Sequence, residues 1–211
     1  MIRYRRRFWL IAACLSAVAG FVDALAFVEL GGFFVSFMSG NSTRLGVGII
    51  QAPQHAAVAG GLIAAFVAGV MVGAWVNREN SAASVPVVAA VSVMLALAAT
   101  LAGLGFTGAG VALLAVAMGA ENAVFRRDGD VSIGLTYMTG TLVKLGQRLT
   151  DALRGGPPFA WTPYLLLWTG LAAGATAGAW AHARIGLAAI WLAATAMAAL
   201  ALLMWRMPKG D

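Results

Sequence analysis

Residues 8–28, FWLIAACLSAVAGFVDALAFV, hold one charged side chain, Asp23, in 21 positions. About twenty apolar residues are what a helix needs to cross the hydrocarbon core of a bilayer, and a helix satisfies its own backbone there. Five further runs share this character: residues 55–76, 85–105, 108–125, 161–181 and 187–205. The whole chain agrees with them. Of 211 residues, 61% are hydrophobic and 10% charged, against roughly 25% charged in a soluble domain. Too little charge is present to coat a water-facing surface. The expectation is an all-α integral membrane protein, a single transmembrane domain over residues 1–211, whose partner is the lipid bilayer.

Arg3, Arg5, Arg6 and Arg7 followed by the apolar residues 8–20 also fit a secretory signal peptide. Asp23 disturbs a cleavage site, and the stretch belongs to a repeat described below, so it reads as a retained first span. With the N-terminus in the cytoplasm, six crossings place twelve of the fourteen lysines and arginines inside and only Arg44 and Arg184 outside. That asymmetry predicts both termini to be cytoplasmic. It also accounts for the net charge of +6 without nucleic acid. Cys14 is the one cysteine, and His55 and His182 lie far apart, so neither a disulfide nor a metal site is expected. No phosphate-cradling loop, zinc-protease helix or nucleophile elbow occurs. Neither an enzyme nor a cofactor is therefore expected.

The two halves, about 8–105 and 108–206, echo each other. Gly20-Phe21-Val22-Asp23-Ala24 resembles Gly119-Ala120-Glu121-Asn122-Ala123 at an offset of 99. Met38-Ser39-Gly40-Asn41-Ser42-Thr43-Arg44-Leu45-Gly46 resembles Met138-Thr139-Gly140-Thr141-Leu142-Val143-Lys144-Leu145-Gly146 at 100, and Gly69, Gly73, Trp75 match Gly174, Gly178, Trp180 at 105. Three matches in register point to duplication. Three spans per half, an odd number, turn the second half upside down. The expected fold is six transmembrane helices as a 3+3 inverted repeat, an architecture of many transporters and channels.

Between the first and second spans of each half, residues 31–50 and 131–149 are too apolar for loops and too interrupted for spans. Each carries a polar cluster rich in helix-capping residues and glycine, so each reads as a broken or re-entrant helix restarting near Asn41 or Thr141. Paired breaks at membrane depth mark binding sites or pores, which makes Ser39, Gly40, Asn41, Thr43, Thr139, Gly140 and Thr141 the candidate substrate-binding residues. Interfacial amphipathic helices with capping residues would give the same pattern without a ligand. Asp23, roughly 22 Å along the first helix, and Glu121 with Asn122 are costly inside a membrane. Arg44 and Lys144, one turn beyond the breaks, are their candidate partners, either for ion coupling or as locks between helices. The glycine pairs read as packing contacts.

Residues 20–24 together with Gly31-Gly32-Phe33-Phe34-Val35-Ser36-Phe37-Met38-Ser39-Gly40-Asn41 resemble the signature of the YoaK family of membrane proteins, also called DUF1275. The resemblance runs over essentially the whole chain and includes Met138-Thr139-Gly140-Thr141. The family motif usually reads Met-Thr-Gly-Asn, and Ser39 keeps its hydroxyl. The resemblance implies a small protein of the bacterial inner membrane with several helices, from a family only loosely described as permease-like, and implies no chemistry or substrate. From the residues themselves, the leading expectation is a small secondary transporter or channel-like permease for an unknown small solute. The alternative is a non-transporting scaffold or sensor. The short, glycine-rich chain leaves room for a homodimer to complete the structure.

Overall fold

A computed structural model describes residues 6–77, 84–127 and 130–207. Arg3, Arg5, Arg78 and Lys209, counted above for orientation, lie outside them. The described residues form eight α-helices: α1 (Arg6–Glu29), α2 (Met38–Gln51), α3 (Pro53–Val76), α4 (Val85–Gly103), α5 (Thr107–Glu121), α6 (Met138–Leu153), α7 (Thr162–Ile185) and α8 (Ile190–Arg206). A 3-10 turn at Gly186–Ala189 separates the last two, and Arg126–Arg127 pairs antiparallel with Asp130–Val131. Pro53, Pro86 and Pro163 sit in the first turns of α3, α4 and α7, where the missing N–H has no helical partner to lose.

Four stretches are long and apolar enough to cross a membrane: Phe8–Glu29, Pro53–Val76, Val85–Gly103 and Thr162–Arg206. The last contains both α7 and α8, and α5 is a shorter apolar helix of 15 residues. Their outward faces are apolar. Met71, Trp75, Trp180 and Trp205 are each more than 60% exposed, which suits contact with lipid rather than water. The core is made of small and branched side chains, among them Leu15, Val22, Leu95, Leu114 and Met197, all fully buried.

Two helix crossings organise this core. At the α3–α5 crossing, a methyl group on Gly69 would land on the Val116 carbonyl oxygen, one on Gly73 on that of Ala120, and one on Gly119 on that of Phe66. At the α7–α1 crossing, Gly174 meets Ala17, Gly178 meets Phe21, and Gly20 meets Leu171 in the same way. The two sets are equivalent residue by residue. Ala17 and Val116 differ by 99 positions, as do Phe21 and Ala120, while Phe66 and Leu171 differ by 105. The offsets of 99 and 105 read from the sequence thus recur between the contacts of the two crossings. In both crossings the register rises together along the two chains, so α3 runs parallel to α5, and α7 parallel to α1.

The remaining packing follows the same exchange. α2 packs on α3 as α6 packs on α7, α4 on α5 as α8 on α1, and α4 and α8 on each other. Ser92 of α4 donates to the Ala194 carbonyl of α8 at 2.9 Å. In lipid there is little hydrophobic drive between helices, so close backbone approach and such polar links hold them together.

Gly69→Ala or Gly174→Ala is expected to remove most folded protein, beyond the 1–3 kcal/mol typical of core overpacking, since the obstacle is backbone. Gly61→Ala, on α3 with open space at its Cβ, is the matched control. Size-exclusion profiles and thermal unfolding in detergent read the difference.

Candidate functional site

The first break starts where α1 ends. Gly31 (φ 64°) and Gly32 (φ 107°) take left-handed conformations that other residues adopt only with strain. The Gly32 N–H closes the helix on the Phe27 carbonyl at 2.7 Å. The chain then doubles back along α1. Buried N–H groups of such a segment need partners within the protein. Asp23 collects them: Oδ1 accepts from the N–H of Val35 at 2.7 Å and of Ser36 at 2.9 Å, and Oδ2 accepts the Ser36 hydroxyl at 2.9 Å. Asn41 holds Phe34 by both ends, its Oδ1 accepting the N–H at 3.1 Å and its Nδ2 donating to the carbonyl at 2.6 Å.

The second break repeats the plan with neutral groups. Thr136, 100 positions after Ser36, donates its hydroxyl to Oδ1 of Asn122, 99 positions after Asp23, at 3.1 Å. Ser16 of α1 donates to the Leu135 carbonyl at 2.9 Å, which ties this break to the other half. Thr141 stands in the place of Asn41 and is likewise buried.

The two breaks meet. A cavity of about 290 Å³ is lined by Ser36, Phe37, Met38 and Ser39 from the first, by Thr136, Tyr137, Met138, Thr139 and Gly140 from the second, and by Phe66 of α3. Four of these pairs are repeat partners at the offset of 100. α2 and α6 both begin at this cavity. Their N-cap residues, Phe37 and Tyr137, supply no side-chain cap, and the backbone N–H groups of Ser39, Thr139 and Gly140 find no partner among the described residues. Free N–H groups at a helix start, with the positive end of the helix dipole behind them, favour an anionic or electron-rich ligand. Phe37, Met38, Phe66, Tyr137 and Met138 make the walls mostly apolar, as small-molecule sites usually are.

Several expected roles change. α2 and α6 start at Met38 and Met138, ahead of Asn41 and Thr141, because Asn41 spends its amide on Phe34 instead of capping. Of the candidate binding residues, Ser39, Thr139 and Gly140 line the cavity. Gly40 packs under the rings of Phe37 and Phe34, and Thr43 is exposed and donates to the Ser39 carbonyl at 3.3 Å. The expected pairs of Asp23 with Arg44 and Glu121 with Lys144 do not form. Asp23 is saturated by the returning segment, and Arg44 lies over the Phe33 ring, 4.9 Å from its centroid. Lys144 is exposed on α6, and both carboxyl oxygens of Glu121 are buried without a hydrogen bond among the described residues. Ser36, Thr136 and Phe66 were not expected. The offset of 100 that joins Ser36 to Thr136 is the signal that would have found the first two.

A protein of this build, with apolar helices around two hydrogen-bonded breaks, falls in the class of multi-pass membrane proteins, and the comparisons agree. The family model described as "Protein of unknown function (DUF1275)" matches residues 11–203, and the chain belongs to that family. It is 33% identical, over 207 residues covering 94% of this chain and 87% of the relative, to a UPF0700 transmembrane protein of Rhizobium meliloti (strain 1021). No solved structure matches the chain.

Asn41→Ala leaves both backbone groups of Phe34 unpaired, and Asp23→Ala does the same to two N–H groups. At about 1–3 kcal/mol per unsatisfied buried group, each variant is expected to lose about 2–6 kcal/mol. Arg44→Gln, which gives up only the contact with the Phe33 ring, is expected to lose no more than about 1 kcal/mol. Thermal unfolding of the three purified variants, followed by tryptophan fluorescence, checks the order.

Proposed function

We propose that the chain is a small secondary transporter or channel-like permease of the bacterial inner membrane, with its solute path through the cavity between the two breaks. The observation that carries this reading is the convergence of repeat-related residues from both breaks on one cavity. In the proposed topology α1, α3, α4, α5, α7 and α8 cross, as a 3+3 inverted repeat with both termini cytoplasmic. α2 and α6 enter from opposite sides and return. At 14 and 16 residues they are about 21 and 24 Å long, short of the ~30 Å of a bilayer core. The order of contacts along α1 supports the inversion. Ser16 reaches the second break and Asp23, farther along, reaches the first, whereas α5 runs into the second break at Asn122.

The solute is small, to suit the cavity, and carries an anionic or strongly electron-rich group, to suit two uncapped helix starts. The test has two arms. In a Cys14→Ala background, single cysteines at Gln51 and Gly156 are expected to react with an impermeant thiol reagent from outside and from inside, respectively. Proteoliposomes are expected to pass one or more of formate, acetate and nitrate, read by light scattering. Ser39→Trp or Thr139→Trp should cut that flux roughly tenfold or more, the effect of about 1.4 kcal/mol on a barrier, while leaving the protein folded. A wild-type protein that labels as expected but passes none of these anions favours the scaffold or sensor reading.

A further inference from the structure

The two halves differ in where they carry a buried carboxyl. In the first, the carboxylate is Asp23, inside α1 and ahead of its end at Glu29, and both of its oxygens are used to hold the break. In the second, Asn122 does the holding and the carboxyl sits one residue earlier, at Glu121, where the first half has fully buried Val22. Glu121 is also fully buried, and neither of its oxygens has a hydrogen-bond partner among the described residues. It is the last residue of α5, where the helix dipole presents its negative end. Nearby donors are committed elsewhere: the Asn77 amide donates to the Ala123 carbonyl at 2.8 Å, and the Ser84 N–H to that of Val124 at 3.0 Å.

No described charge offsets it. Of the helices packed on α5, α4 carries no titratable side chain, and α3 carries only His55. His55 sits at the far end of α3, against the Phe33 ring. α1 contributes Asp23, which is saturated, Cys14, which is exposed, and Glu29, which is paired with His182 at 3.1 Å; Arg6 and Arg7 stand at its opposite end from Glu29. A negative charge left without donor or cation in such a place costs several kcal/mol. A cation other than a proton would want several oxygen ligands, and the described residues hold no cluster of three or more His, Cys, Asp or Glu.

We propose that Glu121 is the proton-binding site of this protein. It takes one proton on its carboxylate to give the neutral acid, with no other bond made or broken. Its neighbour Asn122 accepts the hydroxyl of Thr136, a residue of the cavity wall, so the carboxyl lies one residue from the group that holds the second break. Use of this proton to drive a solute rests on the transporter reading; the protonation itself does not.

The test is infrared difference spectroscopy of the full-length protein in liposomes at neutral pH, with exchange into D₂O. The expected result is a carboxylic-acid carbonyl band that shifts on deuteration, disappears in Glu121→Gln and persists in Asp23→Asn. A wild-type protein with no such band, as an arginine partner from the segments around residues 78–83 or 126–130 would produce, overturns the proposal. So does a band that survives in Glu121→Gln. If Glu121→Gln does not elute as folded protein, Glu121→Asp decides: the band is expected to move, and an unmoved band refutes the assignment. The measurement needs no solute, so its failure is separate from a failure of the flux assay.

Discussion

The structure depends on two glycine-lined crossings at which helix backbones touch. Lipid tails are as apolar as leucine, so helices in a bilayer gain little by hiding apolar surface from them and much by packing closely. Gly174, Gly178 and Gly20 let α7 and α1 approach to backbone contact, and Gly69, Gly73 and Gly119 do so for α3 and α5. Each crossing joins the first helix of one half to the third helix of the other. Neither half can close on itself, and the fold exists only when both have interlocked. α2 and α6 are carried on α3 and α7, so the same interlock brings the two breaks face to face.

Buried backbone outside a helix has to be satisfied by protein, and the two breaks solve this differently. The first has five side-chain hydrogen bonds from Asp23 and Asn41, both close in sequence. Charge-assisted bonds to backbone N–H groups are roughly twice as strong as neutral ones, so this segment is a rigid fixture of its own half. The second relies on neutral Asn122 within its half and on Ser16 from the other half. Its geometry therefore depends on how α1 sits beside it. A rearrangement between the halves would be transmitted to the second break sooner than to the first.

Much of this was legible in the sequence because it is written in local patterns. Apolar runs set the helices to within a few residues, and the offsets of 99 and 105 mark the residues that form the crossings. The glycine pairs were readable as packing contacts from spacing alone. The partners of Asp23 were not. Placing Arg44 one turn beyond the break assumes that the chain continues forward, whereas Gly31 and Gly32 turn it back so that Val35 and Ser36 arrive first. Asn41 looked like a ligand or a cap because those uses are common for asparagine. Its actual use, holding Phe34, follows only from the returning strand. Phe66 reaches the cavity through the α3–α5 crossing, a contact between halves that no local pattern displays.

The chemistry of the cavity follows from the same division of labour. Asp23, Asn41 and Asn122 keep the breaks in shape, so they are unavailable for a solute, and the cavity wall carries no full charge. What lines the space is the start of α2 and α6 at Ser39, Thr139 and Gly140, with the hydroxyl residues Ser36 and Thr136, set among aromatic and thioether side chains. Recognition by dipoles is weaker than recognition by arginine or lysine, and passage requires binding strong enough to admit a solute yet weak enough to release it. On the transporter reading, a site whose charges are spent on architecture, leaving partial charges for a solute, meets that condition. A tight-binding sensor would gain from a charged wall that this cavity lacks.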